Sequence, residues 1–335
     1  MTGFRSAALA MSAICAFGWS SDAAEAKATI TKFDPPGSTG TVAYSINGAG
    51  SITGFYADSS NVTHGYLRAT DGTITVFDPP GSSNTQAWSI NATGSIAGFY
   101  RDNNNVQHGF VRAADGTITV IDPKGSTGTA ARSINAKGSI AGSYSDSSGM
   151  RHGYMRSASG RFKTFDPSGS TLTATNSINK GGSITGDYAD NNGISHGFVR
   201  AADGTITAFD PSGSTGTDAN NINDTGSITG YYVDSSNVQH GFVRAADGTI
   251  TVFDPSGSTL TYAFIINSKG SITGGYFDSS GLEHGFVRSV GGTFKTFEVR
   301  GATTGTLAYG INATGSIAGF YSGNDDVNHG FVRIP

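Results

Sequence analysis

A single histidine recurs through the chain at a fixed interval. His64, His108, His152, His196, His240 and His284 stand 44 residues apart, His329 follows after 45, and no other histidine occurs. Each sits in nearly the same stretch of sequence, of which "INATGSIAGFYRDNNNVQHGFVRAADGTITVIDP" (90–123) is one of seven copies. Repeats of about 40–50 residues with strand patterning point to the blades of a propeller. The repeat also overrides composition. With 49 Gly and only 14% charged residues, an irregular chain would bury too little apolar surface to fold. In a strict repeat the same glycines mean short strands and tight turns.

Four strand-like runs fill each copy. In the second copy they are "TQAWSIN", "SIAGFYRD", "VQHGFVRAA" and "TITVIDP". The last alternates Thr, Ile and Val, which suits a pleated surface. "ATG", "NNN" and "DG" supply the intervening turns, and proline ends the fourth run because it cannot continue a ladder. Four antiparallel strands, seven times over, predict an all-β, seven-bladed β-propeller. Residues 28–35 read as a fourth strand without its first three, and 306–335 as three strands without a fourth. The N-terminal strand is therefore expected to complete the last blade, within one domain spanning 27–335.

Residues 1–26 read as a secretory signal peptide: Arg5, an apolar run from Ala7 to Phe17, and Ala24-Glu25-Ala26 as a cleavage site. An exported protein, extracellular or periplasmic, is expected. Cys15, the one cysteine, falls inside the leader, so the mature chain would have no thiol chemistry. Removing Arg5, Asp22 and Glu25 moves the net charge from -4 to -3. That offers no electrostatic footprint for nucleic acid, and the apolar run is too short for membrane insertion. A monomer is expected.

Positions constant in all copies serve the copy. These are the Asn closing the first run (Asn47 to Asn312), the Tyr of the second (Tyr56 to Tyr321), and His-Gly-aromatic-x-Arg in the third. They read as a repeated hydrogen-bonding set that compensates for small cores. The Asp after the second run (Asp58 to Asp278) reads as an Asx turn. No metal or cofactor is expected, since histidines on separate blades cannot converge on one ion.

Positions that vary carry the functional signal. Two residues before Ile-Asn stand Tyr44, Trp88, Arg132, Asn176, Asn220, Phe264 and Tyr309. Before the second-run tyrosine stand Phe55, Phe99, Ser143, Asp187, Tyr231, Gly275 and Phe320. Both sets are expected near the mouth of the central channel. Tyr309, Phe320, Tyr44, Phe55, Trp88 and Phe99 would form an aromatic wall facing Arg132, Ser143, Asn176, Asp187, Asp218 and Asn220. Such a pairing suits a sugar, whose C–H face stacks while its hydroxyls hydrogen-bond. The repeat also breaks at "TFEVRGATTGTLA", where Glu298-Val299 replace Asp-Pro and one residue is added.

The pattern A-x-x-I-N-x-x-G-S-I-x-G-x-Y followed by H-G-F resembles the bacterial extracellular HAF repeats, named for a His-Ala-Phe motif; here the middle residue is Gly. The resemblance spans essentially the whole mature chain and implies export and a repeat fold, but no catalytic residues. Three functions stay open. One is a secreted module binding a glycan at the channel mouth. Another is a polysaccharide lyase or glycosidase, with Asp187 and Asp218 as paired carboxylates and Tyr231, His196 and Arg132 as further candidates. The third is a cell-surface protein-interaction module.

Overall fold

The computed structural model describes residues 28–325 and 327–335; the leader expected at 1–26 lies outside them. Those residues form 28 strands, β1 to β28 in chain order, and no helix. One copy is built from β2 (Gly40–Ile46), β3 (Ile52–Ala57), β4 (Thr63–Arg68) and β5 (Ile74–Phe77), hydrogen-bonded in that order and antiparallel. Five such four-stranded sheets occur. The other strands make one eight-stranded sheet, whose two halves are joined by a single parallel bridge between Glu283 and Gly305. That join lies where the repeat breaks: Val299 is buried and its N–H donates to Thr306 Oγ1 at 3.1 Å. β1 (Thr29–Phe33) pairs antiparallel with β28 (Asn328–Ile334).

Each sheet packs on the next in sequence order, and β2 packs on the final strands. The contact is small and repeated. In each sheet the third-strand aromatic is wholly buried, from Tyr66 through Phe110 to Phe331, over the first Ile of the second strand. A cation–π pair bridges neighbours: Arg112 lies over Phe77 of the preceding copy at 5.0 Å, and Arg68 over Phe33 at 4.9 Å.

The constant asparagines do two jobs. Asn47 Oδ1 accepts from Ala49 and Ser51 N–H, closing its own turn, while its Nδ2 donates to the carbonyl of Asn91 at 3.2 Å. Asn91 donates to Asn135, and so on to Asn267, which donates to Asn312. Asn312 donates back to the Asn47 carbonyl at 3.1 Å. The result is a buried head-to-tail cycle of hydrogen bonds joining all the copies.

The histidines work within a copy. His64 Nδ1 meets Asp78 at 2.7 Å, Nε2 faces Asp58 at 3.5 Å, and the ring lies on Tyr56, centroids 5.2 Å apart. Asp58 also closes an Asx turn, accepting from Ser60 and Val62 N–H. Partial burial opposes protonation of His64, but the two carboxylates outweigh it and raise its pKa. In the sixth copy Glu298 takes the aspartate's place, 2.6 Å from His284 Nδ1.

Candidate functional site

Every first strand carries a register shift at the same place. In β2, Ala43 pairs with Gly54 and Ser45 with Thr53, so Tyr44 has no partner. The equivalent skipped residues are Trp88, Arg132, Asn176, Asn220, Phe264 and Tyr309. A bulge of this kind removes one residue from the ladder and re-aims its side chain. All seven bulge residues line one cavity of about 320 Å³, together with Tyr231 and most of the residues that follow them. The strand that the hydrogen-bond cycle holds innermost thus delivers one free side chain per copy to a common space.

The cavity has two unlike sides. Phe264 stacks on Tyr309, centroids 4.6 Å apart and 10° from parallel. Tyr309 meets Tyr44 at 4.9 Å, and Tyr44 meets Trp88 at 6.3 Å. The Arg132 guanidinium then covers Trp88 at 4.0 Å. Tyr262, which sequence comparison missed, continues this belt between Phe264 and Tyr231. Burial raises the Tyr44 and Tyr309 hydroxyl pKa values, so both stay neutral donors. Opposite them, Asn176 Nδ2 donates to Asp187 Oδ1 at 2.8 Å and to the Ala219 carbonyl at 3.1 Å, and Asn220 Nδ2 donates to the Ala263 carbonyl at 3.0 Å. These bonds fix both amides and leave their oxygens to accept.

Of the second-strand residues expected at the mouth, Tyr231 lines the cavity, while Phe55, Phe99, Phe320, Ser143 and Asp187 stand behind it. Phe55 stacks on Tyr44 at 5.9 Å, Phe320 on Tyr309 at 5.6 Å, and Phe99 meets Trp88 edge-on at 4.6 Å. They buttress the belt and do not line the cavity. The reason is the bulge, which pushes the first-strand residue forward and leaves its second-strand neighbour in the rear. Ser143 likewise turns away, its hydroxyl accepting from Thr175 N–H at 2.9 Å. His196 is not in the lining either. It sits between Asp210 (2.8 Å) and Asp190 (3.8 Å) like its counterparts in the other copies.

Asp187 and Asp218 also lie behind the surface, screened by Asn176 and Tyr231. Desolvation, reinforced by the Asp218 charge, pushes Asp187 up to about 7 against the lowering effects of Asn176, Arg132 and Arg151. Burial raises Asp218 as well, opposed by a hydrogen bond from Tyr231. A carboxyl whose folded pKa exceeds its unfolded value near 3.8 favours the folded state least above the folded pKa. Stability is therefore lost as pH rises from about 4 to about 7. Asp187→Asn should raise the unfolding free energy at pH 8 by roughly 2 kcal/mol, with little change at pH 4. Equal gains at both pH values would contradict this account. Among the described residues no His, Cys, Asp and Glu group could hold a metal ion, and no helix is long and apolar enough to cross a membrane.

No family model matches the chain, and no curated protein sequence does. Solved structures do. Virginiamycin B lyase from Staphylococcus aureus superposes with a TM-score of 0.61 at 11% identity, over 92% of this chain and 100% of that one. The β-propeller domain of the Trilobed protease from Pyrococcus furiosus gives 0.62 at 10% identity, over 88% and 95%. The BP39L lectin from Burkholderia pseudomallei gives 0.56 at 11%, over 88% and 96%. The fold is a β-propeller. At these identities the likeness speaks to the fold alone, since propellers host unrelated activities.

Proposed function

We propose that this chain is an exported, seven-bladed propeller of the HAF-repeat kind that binds a glycan, or a ligand of similar polar and apolar faces, at the mouth of its central channel. The blade count is supported by the closed cycle of seven asparagines and by the pairing of β1 with β28. Export rests on the leader at 1–26, and the family on the repeated motif. One observation carries the binding reading. The seven bulge residues share a cavity of about 320 Å³ with an aromatic arc on one side and fixed amides on the other. That volume falls within the range of small-molecule pockets, about 300–1,000 Å³.

The test passes the protein over immobilised polysaccharides while each is assayed for new reducing ends and for unsaturated uronate absorbance. Binding without product supports the reading. Trp88→Ala should then weaken it at least about tenfold, the equivalent of roughly 1.4 kcal/mol, because it removes a stacking face and the platform under Arg132. The fold should be unaffected, since Trp88 lies outside the ladder. Binding that survives Trp88→Ala unchanged would remove the aromatic arc from the reading. No binding to any polysaccharide would turn the reading toward a protein-interaction surface.

A hydrolytic or eliminative activity is the second reading. It is favoured by Asp187, pushed up to about 7 beside a second carboxyl, Asp218. Release of reducing ends would point to a glycosidase, and unsaturated uronate to a lyase. The screened position of both carboxyls makes binding the first reading.

A further inference from the structure

A second cavity, of about 440 Å³, opens beside the channel between the second and third copies and shares Trp88 and Arg132 with it. Three guanidinium groups stand in its walls, those of Arg101, Arg132 and Arg151, and no carboxylate does. Each arginine is a departure from the repeat. Where Arg132 stands, the other copies have Tyr, Trp, Asn, Asn, Phe and Tyr. Where Arg151 stands, just before the histidine, they have Thr, Gln, Ser, Gln, Glu and Asn. Where Arg101 stands, just after the second-strand tyrosine, they have Ala, Ser, Ala, Val, Phe and Ser. In each set of seven the arginine is the one cation, and the fold brings all three to one groove.

No carboxylate forms an ion pair with any of the three among the described residues. Arg101 donates to the Asn105 carbonyl at 3.0 Å and to Gln107 Oε1 at 3.4 Å, which are neutral acceptors. Arg132 is held on Trp88 by its face, which leaves the N–H edges free to donate. Arg151 is exposed, and its side chain has no hydrogen bond or ion pair among the described residues. Asp187 is the carboxyl that interacts at a distance with both Arg132 and Arg151, yet it forms no ion pair within 4 Å of either and spends one oxygen on Asn176. Burial lowers the Arg132 pKa and the Arg151 charge adds to that lowering, so the two cations disfavour each other. Planar forks of this kind match a carboxylate or sulfate in two-point hydrogen bonds.

We propose that this groove receives an anionic substituent, a carboxylate or a sulfate, of the saccharide whose apolar face lies on the channel's aromatic arc, so that the ligand is an acidic glycan. The inference rests on the channel-binding reading and narrows its substrate class. Trp88, common to both cavities, is the hinge between the two ends of the ligand: sugar ring on one side, acid group on the other.

The test measures calorimetric affinity for a galacturonate trisaccharide and for the same trisaccharide with its carboxyls reduced to alcohols. In parallel, inorganic sulfate is titrated while the arginine Nε–H resonances are followed by NMR. The acidic form should bind at least about tenfold tighter than the reduced one. That ratio should shrink as salt rises and fall close to one in Arg151→Gln. Sulfate should shift the Arg132 and Arg151 resonances. Equal affinity for the two trisaccharides overturns the inference and leaves the channel reading standing. If neither trisaccharide binds but sulfate shifts both arginines, the anion site stands for a free anion and its glycan setting is overturned. If neither sugar nor sulfate has an effect, the anion site is overturned, and the polysaccharide panel decides the channel reading by itself.

Discussion

Gly274→Ala should leave little folded protein. A Cβ placed on Gly274 would lie 1.8 Å from the carbonyl oxygen of Tyr262 and 3.0 Å from the Phe286 ring. The obstacle is backbone, so no rotamer change relieves it. The backbone angle is not the cause, because Gly274 is not among the glycines with positive φ. The need arises from the copy's own design. The bulge pulls the first strand close to the second just ahead of the skipped residue, and the buried third-strand aromatic closes the space from the other side. A methyl group there must force a pair of hydrogen-bonded strands apart around a close-packed ring, and the cost should exceed the roughly 1–3 kcal/mol of ordinary overpacking. Gly48→Ala is the control: it is exposed, with nothing within 4 Å of its added Cβ. Chemical denaturation of both variants decides the matter. A Gly274→Ala protein as stable as the control would mean that the strands yield easily and that the close approach is not a constraint.

Asn312→Ala should cost roughly 2–4 kcal/mol, from several buried hydrogen bonds lost at once. The side chain accepts from Thr314 and Ser316 N–H and donates to the Asn47 carbonyl, the contact that joins the last copy to the first. Removing it opens both a turn and the cycle. Asn312→Asp separates the two. It keeps the acceptor for the turn but sets an oxygen against the Asn47 carbonyl. At neutral pH it should therefore be no more stable than alanine. If either variant melted with the parent protein, the asparagine cycle would be a geometric coincidence without energetic weight.

The strands, the turns and the constant framework were legible in the sequence because each is written seven times, and each has a local cause in proline, glycine or alternating β-branched residues. The bulge residues were legible as well, since they vary in a frame that does not. Facing direction was harder. Phe55, Phe99 and Phe320 were expected at the mouth because they vary between copies and lie toward the same end of the sheet as the start of the first strand. The first strand slips by one residue, however, and the slip is visible once sought. Thr41 and Ala43 are buried in step, and the next wholly inward residue is Ile46 rather than Ser45. Arg101 and Arg151 escaped for a different reason. They adjoin constant residues, Tyr100 and His152; Arg101 reaches Arg132 only through the packing of one copy on the next, and Arg151 stands two strands from it in the same sheet. Comparing copies at the residues flanking the second-strand tyrosine and the histidine would have flagged both.

The bulge has a consequence for how such a chain can change. A residue released from both the ladder and the core can be exchanged without disturbing either, and every copy holds one. Tyr44, Trp88, Arg132, Asn176, Asn220, Phe264 and Tyr309 differ in size, charge and shape, yet the strands that carry them have the same register shift. The molecule is in this sense a rotary lock whose tumblers turn independently of its casing. New specificities are open to it by single substitutions, while the folding instructions stay word for word the same.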